Sequence, residues 1–217
     1  SIGKGERMDY GQLADALAFC GNSLLAPMTQ RTGVGLDPGF WESFPLFGDQ
    51  GVADAVQDCA VWAAEFERRC QADGQSAVER CAIEYTRLFV GPPRPAAAPW
   101  ETAHRAVADG ADSTVGFGQA TFEMRELLRN AGLQLCNGNR QYEDHMGIEL
   151  LLLSELCRRA AASDGLAAAE ASEFAADHPA AWVEGLRSAA AEAVPDGYYA
   201  GLLGVAAALL NVVVREG

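Results

Sequence analysis

The run with the most chemical potential is Glu143-Asp144-His145 followed by Glu149. His145 and Glu149 stand four apart, which on a helix puts an imidazole and a carboxylate on one face, adequate for two metal ligands. No third ligand is apparent from spacing. His104 and His178 stand in other segments, without a paired carboxylate motif. A metal held here would make the chain a metal-dependent helical hydrolase using Asp144, His145 and Glu149. The plainer reading is that Asp144 holds His145 or a helix terminus by hydrogen bonding, and no metal is expected.

Nucleophilic chemistry has less support. There is no G-x-S-x-G elbow, no Walker phosphate loop and no strand-linked G-x-G-x-x-G. Gly116-Phe117-Gly118 is too short to count. The six cysteines (Cys20, Cys59, Cys70, Cys81, Cys136 and Cys157) include no C-x-x-C pair. They sit among apolar neighbours and read as reduced core thiols. The expectation is a protein that is not an enzyme and carries no cofactor.

A third run suits binding instead. Glu84-Tyr85-Thr86-Arg87-Leu88-Phe89-Val90-Gly91-Pro92 leads into a proline-stiffened stretch ending in Pro99-Trp100-Glu101-Thr102. Rigid aromatic area with little entropy to lose favours peptide capture. The alternative is that Tyr85, Leu88 and Phe89 are simply core. Pro92, Pro93, Pro95 and Pro99 forbid helix between Gly91 and Pro99. Apolar residues flank this stretch on both sides, so it is expected to be an ordered loop pinned over the core rather than a linker.

The elements that must position these residues read as helices. Val52, Val56, Cys59, Ala63, Phe66 and Cys70 recur at three- and four-residue steps, an amphipathic helix closed by Gly74. Ser76 with Glu79 forms a capping-box pattern opening a helix over Ser76–Val90. Further helices are expected over Met8–Gln30, Ala103–Ala108, Thr121–Ala131, Gln141–Ala162, Leu166–Ala176, Pro179–Ala193 and Pro195–Val214. Glu143 and Asp144 would then lie in a first helical turn and complement its dipole. No segment alternates with period two. The expected fold is all-α: one helical bundle of about eight to ten helices over residues 8–217. Met8 is expected to be the natural start, with residues 1–7 a cloning remnant or a disordered N-terminus.

Composition narrows the class. Thirty acidic residues against sixteen basic ones give a formal charge of -14. That surface repels phosphate backbones and anionic lipid, which argues against nucleic-acid binding and suits a basic partner such as an Arg-rich peptide. Residues 1–7 lack the apolar run of a secretory signal. The one long apolar run, Tyr198–Val214, falls short of the roughly 20 residues that span a bilayer and reads as a buried core helix. A cytoplasmic protein without stable membrane insertion, monomeric or homodimeric, is expected.

The ordered motifs resemble the TorD/DmsD-like (NarJ-related) redox-enzyme maturation chaperones. The signature E-Y-x-x-L-F-x-G-P is matched by Glu84 to Pro92, and the following P-(aromatic)-E-S by Pro99-Trp100-Glu101-Thr102. A helix ending in G-L and then an acidic D-H helix are matched by Arg125–Leu133 and by Glu143 to Gly147 with Glu149-Leu150. F-x-x-x-H-x-x-x-W is matched by Phe174, His178 and Trp182, and the aromatic start of the last helix by Tyr198-Tyr199. The similarity covers Cys81 to Val214. It departs from the pattern at His104, where an aromatic often stands, and at Arg140-Gln141-Tyr142, where N-E-P is usual.

This resemblance implies a chaperone whose partner is the catalytic subunit of a molybdopterin oxidoreductase. Such a chaperone binds the twin-arginine signal peptide or the apoenzyme until the cofactor is inserted. It further implies a client-binding surface containing Trp100, Glu101, His104, Asp144, His145, Tyr85, Phe89, Gly91 and Pro92. Asp144 would pair with guanidinium groups and Trp100 with the signal's apolar stretch. A permanent scaffold subunit of a redox complex is the remaining alternative.

Overall fold

The computed structural model describes residues 8–91, 93–110, 117–135, 141–162 and 165–216. Among them the chain forms ten α-helices and no strand. The helices are α1 (Tyr10–Leu25), α2 (Pro38–Glu42), α3 (Gln50–Asp73), α4 (Ala77–Tyr85), α5 (Glu101–Ala108), α6 (Gln119–Asn130), α7 (Met146–Ala162), α8 (Gly165–Asp177), α9 (Pro179–Ala193) and α10 (Tyr198–Glu216). A 3₁₀ turn spans Gly33–Leu36, and a π turn spans Thr86–Val90 at the end of α4.

Local chemistry sets many of the boundaries. Side chains of Asp9, Asp37, Asp49 and Ser76 each accept a backbone N–H at the start of α1, α2, α3 and α4. These caps satisfy donors that a helix start would otherwise leave open. The first helix stops at Leu25, short of the expected Gln30. Pro27 holds Ala26 in extended backbone, at φ -150° and ψ 152°, as a residue before proline must be. The expected α3 stripe is buried in full, from Val52 through Cys70.

Two central helices carry the bundle. α10 lies against α9, α3, α8, α1 and α4, and α7 lies against α1, α8 and α9. α10 is long and apolar enough to cross a membrane by length and composition. Its Leu202, Leu203, Val205, Ala206, Leu209, Leu210, Val212 and Val213 are nevertheless all interior. α1 and α7 make the closest crossing. A Cβ at Gly21 would sit 2.8 Å from the Gly147 carbonyl oxygen, and one at Gly147 would sit 2.7 Å from that of Gly21. α5 and α6 pack on each other outside this frame, with α5 leaning on α9.

The described cysteines, Cys20, Cys59, Cys70, Cys81 and Cys157, are free and buried, and Cys136 lies outside the described residues. Burial pushes the Cys59 and Cys157 thiols up to about 12. They are inert core groups at neutral pH.

Candidate functional site

The signature that begins at Glu84 folds as a helix end turned back on itself. Burial raises the Glu84 carboxyl above its ordinary range. Its two oxygens accept the backbone N–H groups of Tyr198 and Tyr199 at 3.0 and 2.9 Å, so Glu84 caps α10 from another helix. Tyr85 is interior and donates its hydroxyl to the Leu24 carbonyl at 3.2 Å. Phe89 packs edge-on against both Tyr85 and Tyr199. The π turn ends at Gly91, at φ 97°, where a Cβ would meet the Arg94 backbone at 2.8 Å; only glycine fits there. The loop then returns. Ala96 and Ala97 donate N–H bonds to the carbonyls of Arg87 and Leu88 at 3.2 and 2.8 Å. Ala97 and Pro99 are buried, so the loop is pinned over the core.

The Pro99-Trp100-Glu101-Thr102 block and the Asp144-His145 block meet where this loop ends. Residues 99–102 and 142–146 run side by side, joined by an isolated antiparallel bridge between Trp100 and His145. Glu101 N–H donates to the Asp144 carbonyl and Met146 N–H to the Pro99 carbonyl, both at 2.9 Å. The Asp144 side chain is fully buried. Its oxygens accept Thr102 N–H at 2.9 Å and the Thr121 hydroxyl at 3.0 Å.

Asp144 therefore does not begin its own helix. α7 starts at Met146, and Asp144 stands in the turn before it, satisfying the first turn of α5 and anchoring α6. This corrects the expectation of a helix from Gln141 with both acids in its first turn. Of the readings that spacing left open, Asp144 takes the helix-terminus role, for a helix that begins 43 residues earlier in the chain.

His145 is equally interior. Its Nδ1 accepts Gly147 N–H at 3.0 Å, while Nε2 has no hydrogen-bond partner. Burial pushes its pKa down to about 3, so the ring is neutral at physiological pH. The set Asp144, His145 and Glu149 of the alternative metal reading is not assembled. The donor atoms that do converge among the described residues belong to Glu101, Glu149 and His178, all within 4.8 Å of one another.

That trio is a buried polar junction of α5, α7 and the α8–α9 corner. His178 Nδ1 lies 3.0 Å from Glu101 Oε2. Arg105 Nε donates to Glu101 Oε1 at 2.8 Å, and its Nη1 reaches Glu123 on α6 at 2.8 Å. Trp182 Nε1 donates to Glu149 Oε2 at 2.9 Å, leaving Glu149 Oε1 without a donor. Burial opposes ionisation of Glu101. The His178 hydrogen bond and the charges of His178 and Arg105 outweigh it and hold that carboxyl low. Glu149 is driven well above the carboxylate range, first by burial and then by the Glu101 charge. The Glu149 carboxyl thus favours its protonated form and hydrogen-bonds Glu101.

The implied client-binding residues thus divide. Tyr85, Phe89, Gly91, Glu101, Asp144 and His145 are buried. His104 is partly buried, bonding the Ala98 carbonyl through Nε2 at 2.9 Å and lying 4.9 Å from the Trp182 ring. Trp100 is partly buried, and Pro92 lies outside the described residues. Glu143 already holds Arg125 in a two-pronged pair, at 2.6 and 3.1 Å.

Three residues not singled out from sequence complete the surface around Trp100. Tyr142, Phe117 and Phe122 stand 42%, 42% and 48% exposed. Their rings form a chain from Trp100, with centroid steps of 6.2, 5.5 and 5.1 Å. The only sequence signal was Tyr142 standing where the motif has another residue; Phe117 and Phe122 have no periodic pattern to mark them.

A protein-family model described as nitrate reductase delta subunit matches residues 50–188, well over half of the chain and inclusive of every residue of the polar junction. No curated protein matches.

Proposed function

We propose a function from one premise: this chain belongs to the nitrate reductase delta subunit family, a family of molybdoenzyme maturation chaperones. It acts in the cytoplasm on the cofactor-free catalytic subunit of a molybdopterin oxidoreductase, engaging its twin-arginine signal peptide where the client has one. The family match carries this reading. The exposed ring chain around Trp100 and the formal charge of -14 support it, because an apolar segment behind paired arginines needs aromatic area and an acidic field.

In this reading the client touches Trp100, Tyr142, Phe117 and Phe122. The buried Tyr85, Phe89, Glu101, Asp144 and His145 give that surface its shape rather than its contacts. Gly91 and His104 border it. The protein binds and shields; it performs no covalent chemistry.

The test is calorimetric titration at low salt of a twin-arginine signal peptide, and of the apo catalytic subunit, against wild type and Phe117→Ser/Phe122→Ser. Losing two exposed aromatics should weaken binding by about 2 kcal/mol or more and leave the melting temperature almost unmoved. No binding of either client form to the wild type rejects the chaperone reading. Equal binding by the double variant rejects the surface. Recovery of a stable, salt-resistant complex with the mature enzyme would point to a permanent subunit instead.

A further inference from the structure

We propose that Glu101, Glu149 and His178 form a buried site for one divalent transition-metal cation that takes mixed nitrogen and oxygen donors, Zn²⁺ being the representative. The three side chains come from the start of α5, from α7 and from the α8–α9 corner, and each offers one ligand atom within 4.8 Å of the other two. Imidazole nitrogen and carboxylate oxygen are both zinc donors, and three protein ligands leave a fourth position to water.

The surroundings are those of a ligand site rather than a chance acidic cluster. Two groups that can only accept hydrogen bonds when ionised face one another in the interior, and Glu149 Oε1 has no donor. A positive species must lie between them, either a proton or a cation. The remaining oxygens are already held. Trp182 Nε1 fixes Glu149 Oε2 at 2.9 Å and Arg105 fixes Glu101 Oε1 at 2.8 Å. Such outer partners aim carboxylates at a metal. The Phe174 ring stacks on His178 at 5.2 Å and sets the plane of the imidazole. Glu101 Oε2 and His178 Nδ1, 3.0 Å apart, are the pair a cation would bridge.

A route in exists. The His178 side chain is 11% exposed against 1% for Glu101. It borders a cleft of about 350 Å³ that also holds Glu170, Glu173 and Asp177. Three acids at the mouth attract a cation, and His178 is the first ligand it meets. A bound cation replaces the shared proton, which is released to solvent, and ties α5 to α7 and to the α8–α9 corner beneath Trp100.

The experiment uses metal-free full-length protein, Zn²⁺ as the probe and no client, so its outcome is independent of the chaperone reading. Calorimetry and thermal melts are run on wild type, Glu149→Gln, His178→Ala and His178→Asn. Glu149→Gln preserves the fold, since its amide carbonyl accepts from Trp182 and its amide N–H donates to Glu101. The expected result is one equivalent of Zn²⁺ with a raised melting temperature and proton release. Affinity should fall by at least about tenfold in Glu149→Gln and in whichever His178 variant folds. No saturable binding overturns the site. So does binding that Glu149→Gln leaves within about twofold, because the cation then sits on other groups.

Discussion

Around α10, α3 and α1 the interior is dry, while beneath α5 it is crowded with polar groups. The dry region contains the aromatic cluster of Phe19, Phe40, Trp41 and Phe44, with ring centroids 4.7 to 6.2 Å apart. Of the buried polar and charged residues described, Glu101, Thr121, Asp144, His145, Glu149 and His178 belong to the α5 region, and only Ser154 lies elsewhere, bonded to the Ala14 carbonyl. A dry core is held by area and shape, so it tolerates volume-conserving change. A polar core is held by paired donors and acceptors, so it penalises the loss of any one of them. The chain places this demanding kind of interior under its exposed aromatics, the surface proposed above to meet the client.

The contrast can be broken most forcefully from the dry side. Trp41→Ala removes an indole that is 1% exposed and leaves the Gly35 carbonyl without its 2.8 Å donor. Urea unfolding should show a loss of about 3–5 kcal/mol; a loss under about 1 kcal/mol would mean this core can collapse around the hole. On the polar side, Asp144→Ala strands Thr102 N–H and the Thr121 hydroxyl and should cost about 2–3 kcal/mol by the same measurement. A near-zero change would show that water satisfies these groups and that the junction is wet.

The next effect separates the regions by pH. The folded-state pKa of His145 lies at about 3, below its ordinary 6.5, because burial disfavours the charged ring. The stability from keeping it neutral is complete above pH 6.5 and drains away as pH falls from 6.5 towards 3, by up to about 1.4 kcal/mol per pH unit. His145→Asn, whose Oδ1 can still accept Gly147 N–H, should lack this slope in unfolding measured between pH 7 and 4. Parallel slopes for the two proteins would refute the assignment. The smallest effect belongs to the rim. Arg125→Ala removes a half-exposed pair with Glu143 and a contact over the Phe122 ring, and should cost no more than about 1 kcal/mol, less in high salt.

Much of the fold was legible in advance, and the reason is that helical periodicity is a local record of burial. The α3 stripe from Val52 to Cys70, the Ser76 cap, the fully apolar face of α10 and the pinned proline loop are each written within about twenty residues of chain. Errors arose at helix ends, where the deciding partner lies elsewhere. Glu84 from α4 supplies the oxygens that cap α10, so that helix starts at Tyr198 rather than at Pro195. The site was legible only as a set of motif residues that the resemblance assigned to a client-binding surface. Tyr85 and Phe89 are core, as their plainer reading had it, and Gly91, Glu101, Asp144 and His145 are buried as well.

By itself, then, the sequence determined that the chain is all-helical, strongly acidic, without a nucleophile motif and patterned like a maturation chaperone. Those properties follow from composition, period and local motif. Tertiary structure alone decided that Asp144 serves α5 and α6 instead of its own helix. It also decided that Glu149 meets Glu101 and His178 rather than His145, and that Phe117, Phe122 and Tyr142 line up beside Trp100. Spacing along one helix gives the face a side chain occupies but not which distant group will occupy the facing position. That depends on how helices cross, and here on a crossing as close as Gly21 against Gly147.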